Sequence, residues 1–281
     1  MGLLIYDALV LAKVVAVLPR ATSVLTLGVP TLNFNSEGFH RELAARPDLI
    51  ANKSYDWQFT DCAGFFRGLG FQKIDALDIS DYEGANIIGD LNDPALADKI
   101  KDRYDLIYDS GTIEHIFDAP TVLRTLSHLV RVGGAIVHAT PANGFMDHGL
   151  WQCSPDLFRA FYRSAGFSIL TSSLMVLGEG VHSVQADQNF YRSRGRKYVA
   201  ENFAEAIAVF AAIKRFDVEP VRVQLQDYYA SMHQGMAAED LSSFFIEFRS
   251  PPAATEIACC ETSALSQFLA KLRKTIVGRT G

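Results

Sequence analysis

Short apolar runs alternate with longer amphipathic stretches through the first two-thirds of the chain, and several of the runs stop abruptly at an acid. Ser23–Leu27 ends at Gly28, and Lys73–Asp78 carries its apolar part at Ile74–Leu77 before stopping at Asp78. Ala85–Ile88 stops at Asp90 after one glycine, Tyr104–Tyr108 stops at Asp109, and Ala135–Thr140 runs into Pro141. Between these runs, apolar residues recur at helical spacing over 56–69, which ends among Gly68 and Gly70, over 94–101, and over 119–130 before Gly133 and Gly134. Alternation of this kind predicts a parallel, doubly wound α/β sheet. Such sheets bind ligands beyond the carboxyl ends of their strands, where strand order reverses. Carboxylates at 78, 90 and 109 suit a ligand with ribose hydroxyls, an amine or a positive charge.

A loop rich in Asn, Gly, His and aromatics follows Pro141, and Ser154-Pro155-Asp156 then opens a helix that Gly166 ends. Phe167–Val176 reads as a strand, 178–203 as a polar excursion, and Ala206–Lys214 as a strand that closes the sheet as an antiparallel edge hairpin with 167–176, its alanines arguing the other way. The expected fold is therefore α/β: a doubly wound, mostly parallel, Rossmann-like seven-stranded sheet with an antiparallel edge hairpin. It occupies 1–217, with an N-terminal helix within 1–19 and an insertion at about 33–54. Residues 218–281 form a C-terminal extension.

Composition narrows the partners. At 281 residues and 49% hydrophobic, the chain is long enough for a full core. Its formal charge of −6 supplies no basic field, which disfavours a nucleic-acid partner. Cys62, Cys153, Cys259 and Cys260 show no metal-ligand spacing, and no residue set is assigned to a metal; reduced cysteines point to the cytoplasm. Leu3–Leu18 is apolar but carries Asp7 and Lys13 and lacks a basic start, so it is expected as a helix packed on the domain rather than a signal peptide or span. Over 264–279, Leu265, Phe268, Leu269, Leu272 and Ile276 fall at helical spacing among lysines and arginines. That amphipathic basic helix suits docking on its own protein, on a second copy in a homodimer, or peripherally on an anionic membrane.

The order glycine turn, acid, acid, then Asp109-Ser110-Gly111-Thr112-Ile113-Glu114-His115 resembles the class I S-adenosylmethionine-dependent methyltransferases. Leu129–Gly134 is similar to the turn that precedes that superfamily's fifth strand. The wording at Leu77–Ala85, Asp90–Asn92, Gly111–His115 and His148–Pro155 is closer still to a bacterial methyltransferase-like subgroup linked to surface-glycan and polysaccharide synthesis. The resemblance spans about residues 20–215. It departs at the first motif: Leu25–Leu32 has Thr26 in place of the usual acid and keeps only Gly28 of the glycines, with Pro30 and Leu32 hindering close backbone approach. A nicotinamide fingerprint is absent.

The resemblance implies S-adenosyl-L-methionine as cofactor and methyl transfer to a small hydroxyl- or amine-bearing acceptor, such as a sugar or nucleotide-sugar of a surface glycan. Its cofactor residues map to Leu27, Gly28, Asp78, Ile79, Asp90, Leu91, Asp109, Ser110 and Gly111. Asp78 would hold the ribose hydroxyls, Asp90 and Leu91 would flank the adenine, and Asp109–Gly111 would border the methionine part. Among bases, His148 in the loop after the fifth strand leads, and His115 follows. Asn143, Trp151, Gln152 and His182 are candidates for binding the acceptor. The eroded first motif supports a different class as the alternative: a catalytically inactive methyltransferase-fold protein acting as a binding or scaffold module.

Overall fold

The computed structural model describes residues 2–18, 20–49, 57–178, 180–187, 190, 205–222 and 241–250. In chain order they form helix α1 (Ile5–Val17), strand β1 (Ser23–Leu27), α2 (Ser36–Ala44), α3 (Cys62–Leu69), β2 (Lys73–Asp78), β3 (Ile87–Ile88), α4 (Leu96–Lys99) and β4 (Tyr104–Ser110). Then come α5 (Ala119–Leu129), β5 (Val130–Asn143), α6 (Pro155–Ser164), β6 (Phe167–Leu177), β7 (Val181–Gln185), β8 (Glu205–Lys214) and β9 (Arg249–Ser250). The basic cluster at 192–197, the amphipathic segment 264–279 and most of 218–281 lie outside the described residues.

The strands form one sheet in the order β3-β2-β1-β4-β5-β8-β6-β7-β9. The half from β3 to β5 is parallel, and β5 to β9 pair antiparallel. This is the expected α/β, mostly parallel, doubly wound sheet with an antiparallel edge, but with nine strands rather than seven. The two extra strands, β7 and β9, prolong the antiparallel side. A further correction concerns 206–214: β8 is not an edge strand but runs between β5 and β6, pairing with both along nearly its whole length. The expected antiparallel pairing of 206–214 with 167–176 is present, and β6 pairs on its other side with β7, inside the stretch expected as a polar excursion.

Each face of the sheet carries its own core. On one face α1, α2 and α3 cover Val24, Leu106, Tyr108, Val137 and Val209; on the other α5 and α6 cover Leu25, Ile107, Ile136 and Phe210. All seven residues of β4 are buried, as expected of a central strand covered on both faces. Helix α1 is apolar on nearly every side and is correspondingly buried in the first core. No helix among the described residues is long and apolar enough to cross a membrane.

Local chemistry sets the element ends. Asn35, Asp61, Asp118 and Ser154 each accept a backbone N–H at the start of α2, α3, α5 and α6, and Pro120 and Pro155 occupy first-turn positions where no helical donor is lost. The Asp61 cap starts α3 at Cys62, later than the expected 56, because 57–61 is not helical and lays Trp57 across Gly68; a Cβ there would fall 1.6 Å from the indole Nε1. Within the described part of the insertion, α2 contributes Phe39 to an aromatic cluster with Phe34, Trp57, Phe59 and Phe65. The insertion therefore builds core over that face.

Candidate functional site

Strand order reverses between β1 and β4, and the loops leaving β1, β2, β4 and β5 meet at that crevice. Gly28 turns out of β1 with φ +67°, and its amide donates to the Leu77 carbonyl at 2.8 Å. A Cβ at this position would lie 3.5 Å from the Asp78 carboxylate and 3.7 Å from the Thr112 hydroxyl, so the three residues converge on one open spot. Thr112 donates to the Leu27 carbonyl at 3.0 Å, tying the β4 turn to the end of β1. Thr26, in the position usually acidic in the resembling family, donates its hydroxyl to the Gly28 carbonyl at 2.7 Å and holds the turn itself. Residues 31–33 pair with Leu3 through Leu3 N–H to the Thr31 carbonyl and Asn33 N–H to the Leu3 carbonyl.

Asp78 is half-buried and accepts the Ser80 amide. Ile79 beside it is 65% exposed, and Tyr82 and Ile88 nearby in the chain are exposed as well. Asp90 is exposed and accepts both the amide and the side-chain nitrogen of Asn92, while Leu91 is buried in the second core. Ser110 is buried at the end of β4, and Gly111 turns there with φ +78°.

Asp109 is wholly buried and points away from the crevice. One carboxylate oxygen accepts the amides of Thr112 and Ile113, and the other meets His138 Nδ1 at 2.7 Å. His138 Nε2 is 2.7 Å from the Tyr162 hydroxyl, and its ring stacks on Phe158 at 4.4 Å. Both ring nitrogens are thereby hydrogen-bonded. All three side chains are inaccessible, so this chain of hydrogen bonds fixes the β4 turn rather than meeting a ligand.

On the opposite wall, the loop after β5 folds back over residues 114–116. Leu150 and Trp151 donate their amides to the Glu114 carbonyl at 2.7 and 3.1 Å, and Trp151 Nε1 donates to the Ile116 carbonyl at 3.0 Å. Gly149 has φ +91°, and a Cβ there would lie 2.8 Å from the Glu114 carbonyl oxygen. Asp147 also takes a left-handed φ of +63°, a conformation uncommon outside glycine that short polar side chains tolerate best. These turns aim His148 inward beside His115, with ring centroids 5.2 Å apart. Glu114 is 0% exposed, and each imidazole Nε2 lies 3.9 Å from its Oε1. Burial, together with the charge of Asp109, pushes the Glu114 carboxyl up to about 8. Desolvation lowers both imidazoles from their ordinary value, and for His115 the neighbouring His148 adds to it.

The structure therefore gathers Gly28, Asp78, Ser110 and Gly111 on one side and His115 and His148 on the other. Trp151 lies 44% exposed on the outer edge with its N–H engaged, and Gln152 accepts the Phe145 amide, closing the loop. Asn143 ends β5 at the crevice. His182 sits in register with it across β8 and β6, three strands away, which is about 14 Å at ordinary strand spacing. Two residues that the site needs were not among the sequence candidates: Thr112, which bridges two turns, and Glu114. The Glu-His pair together with a loop histidine is a signal that could have marked Glu114. A groove of about 540 Å³, lined by Pro94, Arg124, His128, Lys214 and Glu219, lies near the amino ends of the parallel strands, away from this crevice.

No protein-family model matches the chain, and no curated protein does. Among solved structures the chain is similar to a protein assigned as a sarcosine dimethylglycine methyltransferase from Galdieria sulphuraria (13% identity over 74% of this chain and 85% of that one, TM-score 0.42). It is similar to phosphoethanolamine N-methyltransferase 2 of Haemonchus contortus in complex with S-adenosyl-L-methionine (11% identity, 74% and 52% coverage, TM-score 0.38). A third is the O-methyltransferase of a trans-AT polyketide synthase multienzyme of Brevibacillus brevis in complex with S-adenosyl-L-homocysteine (10% identity, 73% and 71% coverage, TM-score 0.41).

Proposed function

We propose that the protein transfers a methyl group from S-adenosyl-L-methionine to a small hydroxyl- or amine-bearing acceptor. The observation that carries this reading is the convergence of Gly28, Asp78 and Thr112 at the strand-order reversal: a carboxylate that faces a backbone turn bare of side chain suits a ribose diol lying against main chain. The sequence motifs at 77–85 and 111–115 support the same reading. A sugar of a surface glycan is the acceptor class that the wording of those motifs favours.

When bound, the cofactor would supply an electrophilic methyl on sulfonium sulfur; the acceptor's lone pair would bond to that carbon in line as the carbon–sulfur bond breaks and S-adenosylhomocysteine leaves as the thioether. Asp78 would accept from the ribose hydroxyls, the Gly28 main chain would lie against the nucleoside, and Asp90 would border the base, with Leu91 packed in the core beneath it. Ser110 and Gly111 line the amino-acid end. Because the displacement needs little beyond alignment, the wall formed by His115 and His148 contributes mainly by holding the acceptor atom and receiving its proton, a role that imidazole held neutral by burial can fill.

One observation favours the second reading, a non-catalytic binding or scaffold module: residues 31–33 are tied to Leu3 instead of completing a glycine-rich turn. Calorimetric titration with S-adenosylmethionine and, separately, S-adenosylhomocysteine decides between them. Micromolar binding with turnover on a nucleotide-sugar panel supports the enzyme; a folded chain that binds neither compound supports the module.

A further inference from the structure

We propose that Glu114, His115 and His148 form a binding site for one divalent transition-metal ion on the acceptor side of the crevice. Glu114 Oε1 lies 3.9 Å from His115 Nε2 and 3.9 Å from His148 Nε2, and donor atoms of the three side chains all fall within 4.8 Å of one another. These separations are too long for hydrogen bonds. They are close to what a single ion spans: at bond lengths of about 2.1 Å, donors around a tetrahedral ion stand about 3.4 Å apart, which small side-chain rotations here would reach.

The unmet bonding of these groups is the independent sign. The Glu114 side chain is fully buried, yet neither carboxyl oxygen has a hydrogen-bond partner in another described residue, and His148 Nε2 is buried in the same condition. Buried polar atoms are normally satisfied, because an unpaired one costs about 1–3 kcal/mol and a charged one more. These unmet atoms lie beside one another and beside His115 Nε2, a donor set that a cation would satisfy. The loop that delivers His148 is built to close on Glu114, through the Leu150 and Trp151 amides and the left-handed Gly149.

Two imidazoles and one carboxylate suit borderline ions such as Zn²⁺, Mn²⁺, Fe²⁺ or Co²⁺ over Ca²⁺. Three protein ligands leave at least one position open, and His115, 47% exposed, marks the side on which it faces out. A water or an acceptor hydroxyl fits there, where the ion would lower its pKa; with the ion bound, His115 and His148 hold the metal, and that lowered pKa takes the place of their role as proton acceptor. The metal site rests on these side chains alone, and cofactor binding on the other wall is independent of it.

The test uses the full-length chain, stripped with chelator and titrated with Zn²⁺ and with Co²⁺. Stoichiometric uptake, with cobalt ligand-field bands in the visible that zinc quenches, is the expected result. Both should be lost in Glu114→Gln and in His148→Asn, while His128→Gln, remote from the crevice, keeps them. Should Glu114→Gln not fold, His115→Gln, altered at a half-exposed side chain, provides the same comparison and should weaken zinc affinity at least tenfold. Substoichiometric binding to the folded chain, or full binding that survives these substitutions, overturns the proposal. Titration with S-adenosylhomocysteine on the same samples separates loss of this site from failure of the methyltransferase reading.

Discussion

Replacing Asp7 with asparagine should stabilise the protein at alkaline pH and lose that advantage in acid. Asp7 lies in the first turn of α1, 1% exposed, where it accepts the Leu4 amide at 3.1 Å and the Tyr108 hydroxyl at 3.3 Å on one oxygen. Its other oxygen has no hydrogen-bond partner among the described residues. Burial pushes the carboxyl from an ordinary 3.8 to about 7, against the smaller pull of those two donors. In the unfolded chain the group ionises near its ordinary value. Between about pH 4 and pH 7 the folded state therefore binds more protons than the unfolded one, so stability falls as pH rises through that window and levels off above it. At about 1.4 kcal/mol per pH unit, the full cost is on the order of 4 kcal/mol. Asparagine keeps the accepting oxygen and removes the ionisation, at a fixed cost for its buried amide hydrogens. The signature is thus the change in the stability difference with pH, which should grow in the variant's favour by about 3 kcal/mol between about pH 5 and about pH 8. Urea denaturation of both proteins across that range measures it. A difference that stays flat would show that Asp7 is not held protonated, and the account of α1 burial would have to be abandoned.

Asp78→Ala should weaken S-adenosylmethionine binding at least tenfold, as expected for losing a charge-assisted hydrogen bond of about 1.5–3 kcal/mol; unchanged affinity in calorimetry removes Asp78 from the site. His148→Ala should leave that affinity intact and lower turnover about 100-fold, and near-normal turnover would reduce His148 to packing. Asp109→Ala strands two amides and His138 in the core and should cost about 3–5 kcal/mol in chemical denaturation; a loss below about 1 kcal/mol would refute the role given to the Asp109–His138–Tyr162 chain. Gly149→Ala, with φ +91° and a close Glu114 carbonyl, should displace the loop and reduce zinc uptake along with stability. Unchanged thermal stability and metal binding would contradict that geometry.

The parallel half of the sheet was legible because its strands are short, apolar and stopped by Gly28, Asp78 and Asp109 within a residue of where they end. Elements defined by tertiary pairing were harder to read. Val181–Gln185 has a polar pattern and becomes a strand through its partners β6 and β9. Ala206–Lys214 was readable as a strand, but nothing local states that it enters between β5 and β6; its small alanines are explained only by helices packed on both faces. Helix α2 hid inside a polar stretch although Asn35, Phe39 and Leu43 carry its cap and apolar stripe. At the site, sequence placed acids at strand ends but could not give their direction. Asp109 turns inward because His138 and two amides await it, whereas Asp78 stays at the crevice.

The loop over 145–152 and the turn at 112–117 are laced together through the Glu114 and Ile116 carbonyls. They therefore behave as one cassette in any effort to change what the crevice accepts: grafting a foreign loop after β5 onto this scaffold would strip the turn of its amide donors, and grafting the turn alone would leave the loop without its anchor. Changes in what the crevice binds should accordingly proceed by paired replacements across the two segments, and libraries that randomise them jointly should yield more folded variants than libraries that vary either one alone.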